Sequence, residues 1–519
     1  MSRTDQTERA KNETFDLCII GGGITGAGIL ANALDKGWKV ILLDKNDFSS
    51  GTSSRSSKMI HGGLRYMKYA QFKMVREAVK ERVHLMKLFP HLVKPLPFLL
   101  PSYHSFVDLL LKDLALMVYD RYAGKSMPAH QRLNAKQVEE KLPGIKMKKL
   151  IGGIFYYDAW TNDARLTVDV IAEGVKNGAV ALNYCEVKKF NVENNAVNSI
   201  TCSNTTSGEI ISVRAKVFVN ATGVWTDTVL KQLTGKPSAA MQPSKGVHVV
   251  IPSSRLPEKC VSVVTSTSGE ERMLYTLPWE HGLTILGATD TDYKGNTDKV
   301  YSEPDDVQYM LAAFNAGFPE ANITLKDVVC VFAGLRPILK EDDTKSNYSR
   351  SREYSIWWNN NNMLTIAGGK LTSFLSMGNK CMNVVEEKFK SAQSTVKMFS
   401  EKYSGNWSET YGIFGKQLAE IINENRENAS LLNEKYNYTK AEIIFFCRDQ
   451  FAEKVSDMLT RRTSITYAMR EFDEVLVTDV AKLMAKELKK DSAWIEEQKM
   501  EYHVHWSEYH PAFITPDKN

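Results

Sequence analysis

Phe15-Asp16-Leu17-Cys18-Ile19-Ile20-Gly21-Gly22-Gly23-Ile24-Thr25-Gly26-Ala27-Gly28 is the stretch whose reading decides the fold. A short apolar run enters a glycine turn, and an alanine-rich helical stretch follows to Lys36, closed by Gly37. Lys39 to Leu43 then reads as a second buried strand that ends at Asp44. The result is a βαβ unit at the N-terminus. Gly21-x-Gly23-x-x-Gly26 sits in the context that gives the pattern meaning, with a strand before it and a helix after it. The glycines allow a tight turn, backbone approach to a pyrophosphate and close helix–strand packing, and the helix N-terminus presents aligned N–H groups. Asp44 stands where a carboxylate binds ribose hydroxyls and repels a 2′-phosphate. The unit therefore predicts a site for an adenine dinucleotide, either FAD or NAD.

A second segment favours FAD. Val217-Phe218-Val219-Asn220-Ala221-Thr222-Gly223 is a strand running into a small-residue turn, where Ala221 and Gly223 let another stretch of backbone approach a flavin nucleotide. Strand-like runs recur at 154–157, 180–190, 197–203, 210–220, 247–251, 260–265, 273–277, 283–287, 328–332, 354–358 and 363–367. The chain is helical from about 440 onward. Residues 71–89 have helical periodicity, which the proline-rich PLPFLLP at 95–101 breaks.

Composition narrows the class. The 519 residues are 43% hydrophobic and 24% charged, which excludes disordered and fibrous chains and leaves room for about three domains. A net charge of +5 is too mild to require nucleic acid, though it suits an anionic partner or lipid surface. The seven cysteines, at 18, 185, 202, 260, 330, 381 and 447, form no CxxC and no metal-spaced pair, as in a reducing compartment. The first fourteen residues are too polar for a secretory signal, and no apolar run is long enough to span a bilayer. Asp290-Thr291-Asp292-Tyr293-Lys294-Gly295 has the look of a calcium loop, but its twelfth position is Tyr301 rather than Glu, so no metal is expected. The mostly apolar helix at 106–119 has two readings. It is either core, or a monotopic membrane contact backed by Lys94, Lys112, Arg121 and Lys125.

The segment Gly51-Thr52-Ser53-Ser54-Arg55-Ser56-Ser57-Lys58-Met59-Ile60-His61-Gly62-Gly63-Leu64-Arg65-Tyr66, taken with residues 16–28, closely resembles the FAD-dependent glycerol-3-phosphate dehydrogenases. The likeness continues in order through Tyr157-Asp158, Asp163 to Leu166, Asn220 to Gly223, Lys245 to His248, Leu286 to Asp292, Ala333 to Pro337, Ser351 to Tyr354 and Gly368 to Thr372. Glu442 to Thr463 looks like the helical cap of that family, whereas 391–435 and the residues beyond 490 carry no recognised motif.

The resemblance implies an α/β fold: a Rossmann-like FAD-binding domain, an interleaved antiparallel-sheet substrate domain and a C-terminal helical cap. Residues 15–390 would form the oxidoreductase region, with FAD-binding segments at about 15–90, 150–235 and 328–390, and 391–519 the cap. It implies oxidation of glycerol 3-phosphate, with electrons passed from FAD to a membrane quinone. It also implies a cytoplasmic location on the inner face of the cell membrane, and it is compatible with a homodimer. An oxidase using oxygen, and an amine or amino-acid oxidase on the same scaffold, are the rival readings.

The same resemblance assigns residues. Arg336 would contact substrate near the flavin, with Arg65 and Arg352 holding the polar end and Tyr66 donating beside them. Arginine suits this task because its planar fork makes paired charge-assisted bonds to phosphate. His248 is the first candidate for the base, since a general base works best with a pKa near the working pH. Lys370 is the second candidate, more apt to stay charged beside substrate or flavin. Gly21, Gly23, Gly26, Asp44, Ser57, His61, Ala221, Gly223, Gly368, Leu371 and Thr372 are the expected cofactor contacts.

Overall fold

The computed structural model describes residues 1–69, 71–256, 260–265, 273–340, 354–390 and 396–514. The chain opens with α1 (Arg3–Asn12), started by a reciprocal Ser2–Asp5 capping box. β1 (Thr14–Ile20) runs through the glycine turn into α2 (Ile24–Asp35), and β2 (Val40–Leu43) follows. After α3 (Phe72–Leu88), the second layer receives β3 (Lys94–Ser102), α4 (Phe106–Ala123) and β4 (Gly152–Trp160). α5 (Asp163–Lys176) returns the chain to the first layer, which gains β5 (Ile210–Asn220). β6 (Ser244–Pro252), β7 (Leu283–Gly287) and β8 (Cys330–Arg336) belong to the second layer. β9 (Met363–Gly368) and α6 (Phe374–Lys388) close the first.

The first sheet is parallel at its centre. β1 lies between β5 and β2, with Leu17 opposite Val217 on one side and Val40 on the other. β9 adds outside β5 through Phe218–Met363 and Asn220–Thr365. All four residues of β2 are buried, as a parallel strand covered on both faces requires. α2 buries nine of its twelve residues between this sheet and α6. The two helices touch backbone to backbone: a Cβ on Gly28 would lie 2.4 Å from the Phe374 carbonyl oxygen, and one on Gly378 would lie 2.3 Å from that of Gly28.

The second sheet is largely antiparallel. β6 sits between β7 and β8, which puts His248 opposite Gly287 on one side and Phe332 on the other. β3 and β4 pair along their full length from Lys94–Trp160 to Ser102–Gly152. The preceding helix ends at Leu88, ahead of Phe89-Pro90, so PLPFLLP does not break it but instead forms most of β3. Pro95, Pro97 and Pro101 share one parity, so their missing N–H donors fall on one edge and the other edge keeps its ladder. β4 and β8, at the starts of two segments expected to hold the dinucleotide, hydrogen-bond into this second sheet.

α4 is buried on one side only. Leu109, Leu116 and Tyr119 face the core, while Phe106, Val107, Leu110, Leu111, Leu114 and Met117 are 49–64% exposed. The core reading of this helix therefore holds for half its surface. Among the described residues, no helix is long and apolar enough to cross a membrane.

The C-terminal region packs α7 (Lys440–Asp449), a π-helical turn (Asp457–Arg462), α8 (Glu474–Leu488) and α9 (Ser492–Tyr509) around their own apolar cluster. It docks on α5, where Asp169 accepts from Gln450 Nε2 at 2.7 Å and Arg165 donates to the Thr410 carbonyl at 2.7 Å.

Candidate active site

The glycine turn lies at the carboxyl ends of β1 and β5, where open α/β sheets bind their ligands. Gly21 has φ +112°, and a Cβ there would sit 2.6 Å from the Ala221 carbonyl oxygen. A Cβ on Gly26 would lie 1.9 Å from the Gly21 oxygen, whereas Gly23 meets only Ser53 Oγ, at 3.1 Å. Gly23 is the N-cap of α2, and Ser53 Oγ accepts the N–H of Ile24 at 2.9 Å. Asp44 reaches back to the turn, accepting from Gly22 N at 2.7 Å and Asn46 N at 2.9 Å. Burial pushes its carboxyl up to about 6, against the pull of those two N–H groups. Across the crevice, Asn220 Oδ1 accepts from Thr222 N and Oγ1 at 3.2 and 2.6 Å, shaping the turn that holds Ala221 and Gly223. The two glycine positions that admit no side chain, and a carboxylate at the end of β2, fit the pyrophosphate and ribose of an adenine dinucleotide.

Beyond this turn opens a cavity of about 1280 Å³ that brings eight of the seventeen expected residues together. Ser57, His61, Leu371 and Thr372 line it, with Tyr66, His248, Arg336 and Lys370. Thr372 Oγ1 clips the two cofactor-side segments by accepting from His61 N at 3.2 Å. Gly368 and Gly369 have φ +87° and +100°, turning the chain from β9 towards Lys370. Lys370 Nζ sits 4.1 Å above the Tyr66 ring. Arg336, at the end of β8, is fixed by Asp290 Oδ1 at 3.1 Å and the Thr289 carbonyl at 2.9 Å. The side chain of Arg65 and all of Arg352 lie outside the described residues.

His248 is 2% exposed, stacks on Phe332 at 4.6 Å and shares a 2.9 Å hydrogen bond between Nε2 and Ser57 Oγ. Its environment departs from the expected pKa near the working pH. Burial first, then the charges of Arg336 and Lys58, hold it well below the usual imidazole range, so the ring is neutral.

Four features carry no short-range sequence signal. Gly246 and Gly287 make room for the site, since a Cβ on either would lie 2.5 Å from Arg336 Nη2 or 2.1 Å from His248 Cδ2. Lys58, fully enclosed, pairs with Asp163 Oδ1 at 2.6 Å beneath the rings of Trp279, Phe332 and Tyr467. Asp163 Oδ2 also accepts from Ser56 Oγ at 2.6 Å, so this pair fixes the segment that carries Ser57. On the far side, Asp158 joins Arg82 and Tyr119, and both Asp158 and Tyr119 accept the N–H of Gly62, next to His61. Lys58, Asp158, Asp163, Gly246 and Gly287 all stand in motifs that carry the family resemblance, but those motifs do not reveal these supporting roles.

Fold, glycine turn and cavity define a flavin-dependent oxidoreductase. The family described as FAD dependent oxidoreductase matches residues 16–375, and the family described as the C-terminal domain of alpha-glycerophosphate oxidase matches 364–495. An aerobic glycerol-3-phosphate dehydrogenase of Staphylococcus haemolyticus is 32% identical over 91% of this chain and 92% of its own. The mitochondrial glycerol-3-phosphate dehydrogenase of Bos taurus is 32% identical over 96% of this chain and 74% of its own. The X-ray structure of the Bacillus halodurans glycerol-3-phosphate dehydrogenase, complexed with FAD, superposes with TM-score 0.74 at 26% identity, covering 98% of this chain and 97% of that one. This chain belongs to the FAD-dependent glycerol-3-phosphate dehydrogenase family, and its cofactor is FAD.

Proposed function

We propose that this protein oxidises sn-glycerol 3-phosphate to dihydroxyacetone phosphate and passes the electrons to a membrane quinone, working at the inner face of the cell membrane. The observation that carries the reading is the convergence of His248, Arg336, Lys370 and Tyr66 on one cavity beside Ser57, His61 and Thr372. The substrate is a dianion with a secondary alcohol, so its oxidation needs fixed cations, a hydride acceptor and a proton acceptor. FAD, when bound, supplies the hydride acceptor. Arg336 binds the substrate's polar groups with a guanidinium already oriented by Asp290 and Thr289. Arg65 and Arg352 complete the phosphate clamp, and Lys370 keeps its charge over Tyr66. His248 takes the hydroxyl proton at Nε2, held on the cavity side by Ser57. Burial, with the charges of Arg336 and Lys58, keeps the ring unprotonated at rest, and a bound phosphate dianion offsets the field of the two cations and raises its basicity.

The quinone reading is supported by the reach of the same cavity. Its lining extends from Arg336 to Leu111, Leu114 and Val118 of α4, whose outer face is apolar and exposed. Lys94, Arg121 and Lys125 are exposed nearby and suit an anionic bilayer surface. A second reading, an oxidase, is favoured by the match of 364–495 to the C-terminal domain of alpha-glycerophosphate oxidase.

Anaerobic mixing of the purified protein with glycerol 3-phosphate tests the substrate, and prompt loss of flavin absorbance is expected. Persistence of the oxidised spectrum would sink the assignment. Reoxidation tests the acceptor: a short-chain quinone should outpace air, and stoichiometric hydrogen peroxide would decide for the oxidase.

A further inference from the structure

The loop that follows Asp44 is held from two sides. On the cofactor side, Ser49 N donates to the Gly22 carbonyl at 3.0 Å, and the Phe48 ring covers Gly22, where a Cβ would come within 2.3 Å of it. On the opposite side, Asp47 turns into the C-terminal region. Its two oxygens receive Arg462 Nη1 and Nη2, both at 2.9 Å, and Arg461 Nε adds a third bond at 2.6 Å. Arg461 continues to Asp457 Oδ1 at 2.5 Å, and Tyr184 OH donates to the same oxygen at 2.6 Å. Asp47, Asp457 and Arg462 are fully enclosed, and Arg461 is 5% exposed. Phe48 also meets Phe451 edge to face at 5.1 Å.

Two arginines and two aspartates balance in charge, so the cluster is stable only as a set; a member left alone would be a buried, unpaired ion. A purely local loop does not need such a contact, because Asp44, Ser49 and Ser53 already tie it to the glycine turn. We infer that the clasp of Asp47 with Arg461 and Arg462 is a cofactor-positioning device, through which the C-terminal helical region sets the shape of the FAD-binding loop. None of the three touches the crevice, so they act through Asp44, Phe48 and Ser53. Coupling of this kind is reciprocal: whatever the docked region adds to FAD affinity, FAD must add to the docking of that region.

Two measurements on the full chain test this. FAD release from the holoenzyme is followed by the rise in flavin fluorescence on dilution. Asp47→Asn should speed release at least about tenfold, whereas Arg448→Ala, which removes an exposed pair with Glu424 and Glu487 in the same region, should leave it within about twofold. Backbone hydrogen exchange of the wild-type chain, with FAD and after its removal, needs no variant. FAD should slow exchange at 452–463 while the helix Gly415–Glu424 changes little. Unchanged release in Asp47→Asn overturns the inference, as does protection confined to the crevice segments. If Asp47→Asn does not fold, the exchange result decides alone. The inference rests on FAD occupying the crevice; a chain that binds no FAD would fail that reading first, whereas tight FAD without coupling overturns only the clasp.

Discussion

A ribose-binding role for Asp44 would give FAD binding a pH dependence whose size follows from its surroundings. In the FAD-free chain its carboxyl is pushed up to about 6 by burial. Ribose hydroxyls donate, so they bind the ionised form. If only that form takes FAD, the apparent Kd is multiplied by 1 plus the ratio of protonated to ionised Asp44. With the carboxyl at about 6, the factor is about 1.1 at pH 7 and about 11 at pH 5, a loss of roughly tenfold in affinity. The sign for folding is opposite. Between the unfolded value of 3.8 and about 6, the folded FAD-free chain holds the proton more tightly than the unfolded one, so its stability falls as pH rises through that window. Acidification should therefore loosen FAD while favouring the FAD-free fold at this residue. Titration of FAD into the full chain at several pH values, read by quenching of flavin fluorescence, measures the first effect. Asp44→Asn should bind FAD more weakly at pH 7 and with a flat profile between about pH 5 and 7. A wild-type affinity that changes less than twofold from pH 7 to 5, or an unaltered slope in Asp44→Asn, would refute the reasoning.

Three other perturbations reach other parts of the molecule. Gly26→Ala puts a methyl group 1.9 Å from the Gly21 carbonyl oxygen, which cannot yield, so flavin content of the purified protein should fall at least about tenfold by absorbance. Arg336→Lys keeps the charge and loses the fork held by Asp290 and Thr289, so anaerobic flavin reduction by glycerol 3-phosphate should slow by about tenfold or more with FAD content unchanged. Leu111→Asp with Leu114→Asp removes two exposed leucines from the α4 face, worth roughly 1.5–3 kcal/mol each on burial. Co-sedimentation with anionic vesicles should drop by about a hundredfold, with melting temperature unchanged.

What the residues reveal alone depends on how far apart the interacting groups lie along the chain. The glycine turn, Asp44 and α2 are legible because their steric logic spans some thirty residues. The strand at 210–220 is legible from its own alternation, but its place between β1 and β9 is set by pairings 200 residues back and 145 residues ahead in the chain. The site divides in the same way. Ser57, His61 and Tyr66 stand in one recognisable run, whereas the glycines that make room for Arg336 and His248 gain their meaning only when β6, β7 and β8 align. α4 was ambiguous because an apolar helix face reads alike whether it meets a core or a bilayer; burial of Leu109 and Leu116 against exposure of Leu110 and Leu111 separates the two halves. The Asp47 clasp leaves no local trace, joining residues more than four hundred positions apart.

The order of strands in the first sheet also sets a timetable for synthesis. β1 carries the glycine turn yet pairs with β5, and β5 in turn waits for β9 at Met363–Gly368. At ribosomal rates of roughly 5–20 residues per second, the glycine turn is exposed for on the order of tens of seconds before its sheet can be completed, and the arginines that meet Asp47 emerge later still. During that interval β1 and β2 can pair with each other and pack on α2, while the outer edge of β5 stays open until β9 emerges. Completion of the first sheet is thus a late event, timed by the arrival of β9.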